Sequence, residues 1–136
     1  MKALTRALAF ATAGLAQAVS IAAPWNGQPL WWLQLLSMAT LVWQLDSLRG
    51  DMRSGRNATL YGWLFATTWL CGTFWWLFIS MHTYGGMPAP LAAIAVLALA
   101  AGLALYYAVA CGVFLRFSPV SRAGAAVFFA ALWLLA

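Results

Sequence analysis

The chain has 136 residues, of which 65% are hydrophobic and 7% charged, and its seven basic and two acidic side chains give a net charge of +5. Soluble domains carry about 25% charged residues, so this composition, with a mean hydropathy of +0.87, excludes an ordinary soluble enzyme and indicates an integral membrane protein. At roughly 20 apolar residues per helical crossing of a ~30 Å hydrocarbon layer, the length provides about four crossings and part of a fifth, with no room for a soluble catalytic domain.

The apolar runs are continuous rather than alternating, which favours helices over a barrel. The first, residues 4–23, ends at Pro24-Trp25-Asn26-Gly27-Gln28-Pro29, where two prolines and a glycine punctuate the helix. Its basic start and small residues near the end also fit a cleaved signal peptide. An uncleaved helix, however, returns the following loop to the starting side without further assumption. The second run, residues 30–45, is short but able to cross upright or with snorkelling flanks. A polar loop occupies residues 46–57. The third run, residues 60–81, is predicted to be one continuous aromatic helix, ending at the hinge Ser80-Met81-His82-Thr83-Tyr84-Gly85-Gly86-Met87-Pro88. Pro88 and Pro90 suit the first turn of a fourth span, residues 90–115, where a missing N–H costs nothing. A fifth run, residues 123–136, is still apolar at Ala136. The predicted fold is therefore all-α: residues 1–136 form one polytopic transmembrane domain of four helices and the start of a fifth.

Small residues recur four apart at Gly62 and Ala66, Thr68 and Gly72, Ala98 and Gly102, and Ala108 and Gly112. Such spacing lets helix backbones approach closely, although Ala and Gly are also simply common in membrane spans. With a cytoplasmic N terminus, Lys2, Arg6, Arg49, Arg53, Arg56, Arg116 and Arg122 all fall on the cytoplasmic side, as the positive-inside bias requires. The hinge and the 24–29 turn then face outward, where Trp25, Trp31, Trp32, Trp75 and Trp76 form an aromatic belt. Orientation and anionic lipid account for the basic charge, so nucleic acid is not needed as a partner.

Few groups can do chemistry. The sequence has no glutamate, Lys2 is its single lysine, and both carboxylates, Asp46 and Asp51, sit in the polar loop beside arginines. Apart from Arg6 at the start of the first, no span holds a charge, which argues against a proton-coupled transporter or pump. Asp46 is read as an interfacial counter-ion for a nearby arginine. Cys71, near mid-membrane, and Cys111, near the cytoplasmic end of the fourth span, are read as structural thiols without an activating base. One histidine cannot form a metal site alone, so no metal or other cofactor is expected. His82, beside Tyr84 and the flexible Gly85-Gly86 pair, has two open readings: a hydrogen-bonding or proton-handling group at the outer interface, or an anchor for a helix end.

The segments Gly62-Trp63-Leu64-Phe65, Trp75 through Ala93 and Leu103-Ala104-Leu105-Tyr106, with the closing Ala131-Leu132-Trp133-Leu134-Leu135-Ala136, resemble the N-terminal membrane region of bacterial apolipoprotein N-acyltransferases. The most specific element is the serine-x-histidine-x-x-glycine-glycine-x-proline hinge between two apolar spans. The resemblance implies a multi-pass inner-membrane enzyme of lipoprotein maturation. Such an enzyme moves an acyl chain from phospholipid onto a cysteine, then to the amino group of a diacylglyceryl-cysteine on a lipoprotein substrate. It also implies that the Glu-Lys-Cys triad belongs to a nitrilase-like periplasmic domain, absent from this chain. The expectation is thus a fragment, truncated product or half of a split enzyme, completed by a separate catalytic domain or polypeptide. It would hold no catalytic residue of its own, and would serve as anchor and lipid access through Trp75, Trp76, His82, Tyr84, Gly85 and Gly86. A small non-enzymatic assembly or transporter-like subunit is the alternative.

Overall fold

The computed structural model describes residues 2–23, 26–50 and 53–136. Pro24, Trp25 and Asp51, which figure in the predicted outer turn, aromatic belt and polar loop, lie outside the described residues. The described chain forms α1 (Lys2–Ile21), α2 (Trp31–Ser47), α3 (Ser54–Thr73), α4 (Trp75–Ile79), a π-helical turn (Ser80–Tyr84), α5 (Ala89–Phe117) and α6 (Arg122–Leu135), without strands. It is all-helical, in agreement with the continuous apolar runs. α1 and α5 are long and apolar enough to cross a membrane, and α3 with the α4–π segment makes a third if the bent pair is one span. α2, with 17 residues, and α6, with 14, are shorter.

The boundaries follow local chemistry. Leu30 N–H donates to Ser20 O at 2.8 Å and Ala23 N–H to Gln28 O at 3.0 Å, closing the α1–α2 hairpin. α5 starts with Pro90 in its first turn, and Ser121 caps α6 by accepting from Gly124 N–H at 3.2 Å.

The third apolar run departs from expectation. The helix that carries it starts earlier, at Ser54, and is not continuous: after Thr73 the axis turns by 51°. Phe74 (φ −89°, ψ 10°) leaves helical geometry at this point. The cause lies in Gly72-Thr73, where glycine lowers helix propensity and Thr73 Oγ1 donates back to Trp69 O at 3.0 Å, a bond that bends helices.

α3 is the centre of the bundle, packed against α1 on one side and α5 on the other, with α2 on α1 and α6 on α5. Its contacts are made by small residues. Gly14 of α1 lies against Phe65 O and Thr68, Gly72 against Ala18, Gly62 against Cys111, and Gly112 against Thr59. α5 contributes Ala92, Val96, Ala100, Ala104 and Ala108, all buried at every fourth position. Three of the predicted small-residue pairs therefore take part. The Ala98–Gly102 pair does not: it is exposed, and a Cβ at Gly102 would meet nothing within 4 Å. It sits two residues, about 200° around the helix, from the buried stripe.

Polar residues tie the helices together. Ser37 Oγ donates to Ala13 O at 2.7 Å, Gln44 Nε2 to Ala9 O at 3.3 Å, and Trp63 Nε1 to Ala101 O at 2.9 Å. Interhelical bonds of this kind contribute roughly 0.6 kcal/mol each in a membrane. Large apolar side chains such as Leu91, Ile94, Leu97 and Leu105 point outward instead, as suits hydrocarbon surroundings.

This packing specifies a contrast between two glycines. A Cβ at Gly62 would lie 2.7 Å from both Cβ and Sγ of Cys111, so Gly62→Ala is expected to lower stability by about 1–3 kcal/mol. Gly102→Ala, which meets nothing within 4 Å, is expected to be neutral or slightly stabilising. Thermal unfolding of the detergent-solubilised protein measures both, and equal melting temperatures for the two variants would contradict the packing.

Candidate functional site

Beyond the bend, α4 and the π-helical turn carry the polar interruption of the chain. The turn is closed by wide-spaced backbone bonds: Gly85 N–H donates to Ser80 O and Met87 N–H to Met81 O, each at 3.0 Å. The π-helical turn closes the C-terminal end of the α4 helix, a place where such turns commonly occur. The two glycines have different reasons to be there. Gly86 has φ +66°, a left-handed conformation that side chains resist, whereas a Cβ on Gly85 would lie 2.8 Å from Met81 O.

His82 is exposed, and its Nδ1 lies 2.8 Å from Met87 O. A carbonyl only accepts, so Nδ1 must carry the proton. Neutral His82 therefore presents an unprotonated Nε2 able to accept a hydrogen bond or a proton. The same ring lies 5.6 Å from Phe78, which in turn stacks on Trp75 at 6.2 Å. Positions 75, 78 and 82 thus form an aromatic ladder along one face, from the bend to the hinge. His82 thus ties the end of the turn to Met87 through Nδ1, which is the anchoring reading, and leaves Nε2 as an acceptor.

Trp75 also borders an apolar cleft of about 510 Å³, whose other walls are Leu15, Ala18, Val19 and Ala22 of α1 and Gly72 of α3. That volume lies within the range of small-molecule sites, roughly 300–1,000 Å³. Trp76 (59% exposed) and Tyr84 (85% exposed) stand away from these contacts. Of the residues singled out from the sequence, the fold joins Trp75 to His82, uses Gly85 and Gly86 to shape the turn, and leaves Trp76 and Tyr84 on the surface. It adds Phe78 and the α1 wall. Phe78 was detectable by its i+3 and i−4 spacing from Trp75 and His82, while the α1 wall carries no sequence signal beyond small and apolar residues.

The reactive groups elsewhere remain apart. Cys71 and Cys111 are free thiols on different helices, with Cys111 buried against Gly62. Asp46 pairs with Arg49 at 2.5 Å, the counter-ion role assigned to it from the sequence. Among the described residues no three His, Cys, Asp or Glu side chains come together. Among the described residues the hinge end offers an apolar cleft and hydrogen-bonding groups but brings no nucleophile together with a base.

Residues 8–136 match the Apolipoprotein N-acyltransferase N-terminal domain. The chain is 62% identical over 124 residues to the apolipoprotein N-acyltransferase of Verminephrobacter eiseniae, covering 91% of this chain and 23% of that protein. It is 41% identical over 107 residues to that of Ralstonia nicotianae, covering 76% and 20%. To that of Bordetella bronchiseptica it is 40% identical over 131 residues, covering 90% and 23%. The chain therefore spans about a quarter or less of the length of these curated relatives. No solved structure matches it. The match across nearly the whole chain and the level of identity show that it belongs to the apolipoprotein N-acyltransferase family, as an N-terminal domain.

Proposed function

We propose that this domain is the membrane-embedded part of an enzyme that transfers an acyl chain from phospholipid to the N-terminal amino group of diacylglyceryl-cysteine in lipoproteins. Its own task is to anchor the enzyme and to admit and orient acyl chains at the hinge end. The observation that carries this reading is the cleft of about 510 Å³ beside the bend at Phe74, apolar along its walls and bordered by Trp75. An acyl chain suits such a cleft, and in this reading Nε2 of His82, two rings along the ladder from Trp75, accepts from polar headgroup atoms. Acyl transfer itself is assigned to a separate catalytic domain or polypeptide, because these 136 residues include no glutamate and a single lysine, Lys2.

The orientation belongs to the same reading. All six arginines fall at one end of the bundle, at the start of α1, the α2–α3 connection and the α5–α6 connection, and the hinge end has none. Under the positive-inside bias the arginine end is cytoplasmic and the hinge periplasmic, in a bacterial inner membrane. α2, at 17 residues, is about 26 Å long and crosses with its flanks snorkelling. The path is then α1, α2, the bent α3–α4–π unit and α5 as four crossings, with α6 starting a fifth.

Orientation is tested by thiol labelling in intact cells with a membrane-impermeant reagent. Thr83→Cys at the exposed hinge is expected to label, and Ser54→Cys at the start of α3 to label only after the inner membrane is opened. The reverse pattern would overturn the topology. Function is tested by placing the chain in the corresponding segment of the Verminephrobacter eiseniae relative. Acyl transfer is expected to persist. His82→Ala, and Ala22→Trp to fill the cleft, are each expected to lower kcat/KM for phospholipid by about tenfold, equivalent to about 1.4 kcal/mol. Unchanged kinetics in both variants would confine the hinge and cleft to structure.

A further inference from the structure

A second cleft, of about 630 Å³, lies at the arginine end between α2 and α6, away from the hinge. Its mouth is lined by Asp46, Arg49 and Arg122, and its walls are apolar: Met38, Val42 and Trp43 of α2 face Ala126 and Phe129 of α6, with Phe114 of α5 between them. We propose that this cleft binds an anionic phospholipid, with the phosphate held between Arg49 and Arg122 and one acyl chain laid along the groove between α2 and α6. This goes beyond the hinge reading and stands whether or not the hinge admits acyl chains.

The charges favour such an occupant. Asp46, the one acidic side chain among the described residues, is taken up by Arg49 at 2.5 Å, so among those residues no second side-chain carboxylate is present for Arg122. The mouth therefore holds two arginines against one aspartate, a surplus of one positive charge that matches a monoanionic phosphodiester. Arg49 is also held in place, its guanidinium 5.9 Å from the Phe114 ring centroid, which leaves little freedom to be lost on binding. Arg122 opens α6, where the positive end of the helix dipole adds to the same field.

The walls favour a lipid over a free anion. From Met38 to Asp46 the α2 wall runs eight residues, about 12 Å. That is most of the ~15 Å depth of one hydrocarbon leaflet. The groove begins where the arginines place a headgroup and continues where an acyl chain would lie. Trp43, 73% exposed at the rim, supplies an amphipathic ring at the boundary between the two.

Native mass spectrometry of the purified chain in phosphatidylcholine nanodiscs doped with phosphatidylglycerol tests the proposal. Phosphatidylglycerol is expected to be retained in preference to phosphatidylcholine. Arg122→Gln, an exposed change, is expected to weaken its retention roughly fivefold, the scale of one basic side chain at an anionic surface. Ala126→Trp, which fills the groove with the charges intact, is expected to weaken it as well. Arg116→Gln, at the same end but outside the cleft, is expected to leave retention unchanged. Equal loss in Arg116→Gln would reduce the effect to diffuse attraction and overturn the site. Unaltered retention in Ala126→Trp would mean that no acyl chain occupies the groove, and absence of the phosphatidylglycerol preference would remove the headgroup contact.

Discussion

The fold depends on how closely α1 and α5 approach α3. In lipid no hydrophobic force drives helices together, because the surrounding tails are as apolar as the side chains, so association rests on close packing and a few hydrogen bonds. Here Gly14, Gly62, Gly72 and Gly112 each remove the side chain that would otherwise separate two helices. The buried alanine stripe of α5 does the same along its length. Closeness at these points fixes more than stability. Gly72 against Ala18 forms the floor of the cleft beside the bend, so the contact that joins α1 to α3 also sets that cleft's shape.

The bend at Phe74 follows directly after this contact. By turning the axis 51° it redirects α4 away from the line of α3, and Trp75 comes to border the space between α1 and α3. The π-helical turn and Gly86 then reverse the chain into α5, with His82 tied to Met87 O. The two ends of the molecule are chemically opposite. One carries every arginine and the Asp46–Arg49 pair, and the other carries aromatic rings, one imidazole and no basic side chain of lysine or arginine. Each end has its own apolar-walled cleft.

Much of this was legible in the sequence, for identifiable reasons. Continuous apolar runs required helices, prolines and glycines marked the breaks at Gly27 and Pro88, and arginines separated the ends. Three small-residue pairs pointed to real contacts. The fourth, Ala98–Gly102, shows the limit: a four-residue spacing identifies a stripe but not which way it faces, and a two-residue offset turns it toward lipid. The bend was missed because hydropathy does not register that Gly72 is weak in a helix or that Thr73 can bond back to Trp69 O. The ladder's middle ring, Phe78, is legible only by its spacing from Trp75 and His82, and reading residues 80–88 as a hinge separates His82 from the helix that carries the other two rings. The α1 wall of the cleft was illegible, since it arises only where two helices distant in sequence meet. Family membership was readable from the hinge motif, and the matched relatives show it independently.

The central claim, that the cleft beside the bend receives a phospholipid acyl chain, is tested most directly by site-specific photocrosslinking in the complete enzyme. A photoreactive residue at position 75 should capture phospholipid, and the capture should be lost when Ala22→Trp fills the cleft. A photoreactive residue at position 97, on the exposed face of α5, should capture bulk lipid equally with and without that change. Capture at position 75 that survives filling of the cleft would mean ordinary contact with the bilayer, and would contradict the account.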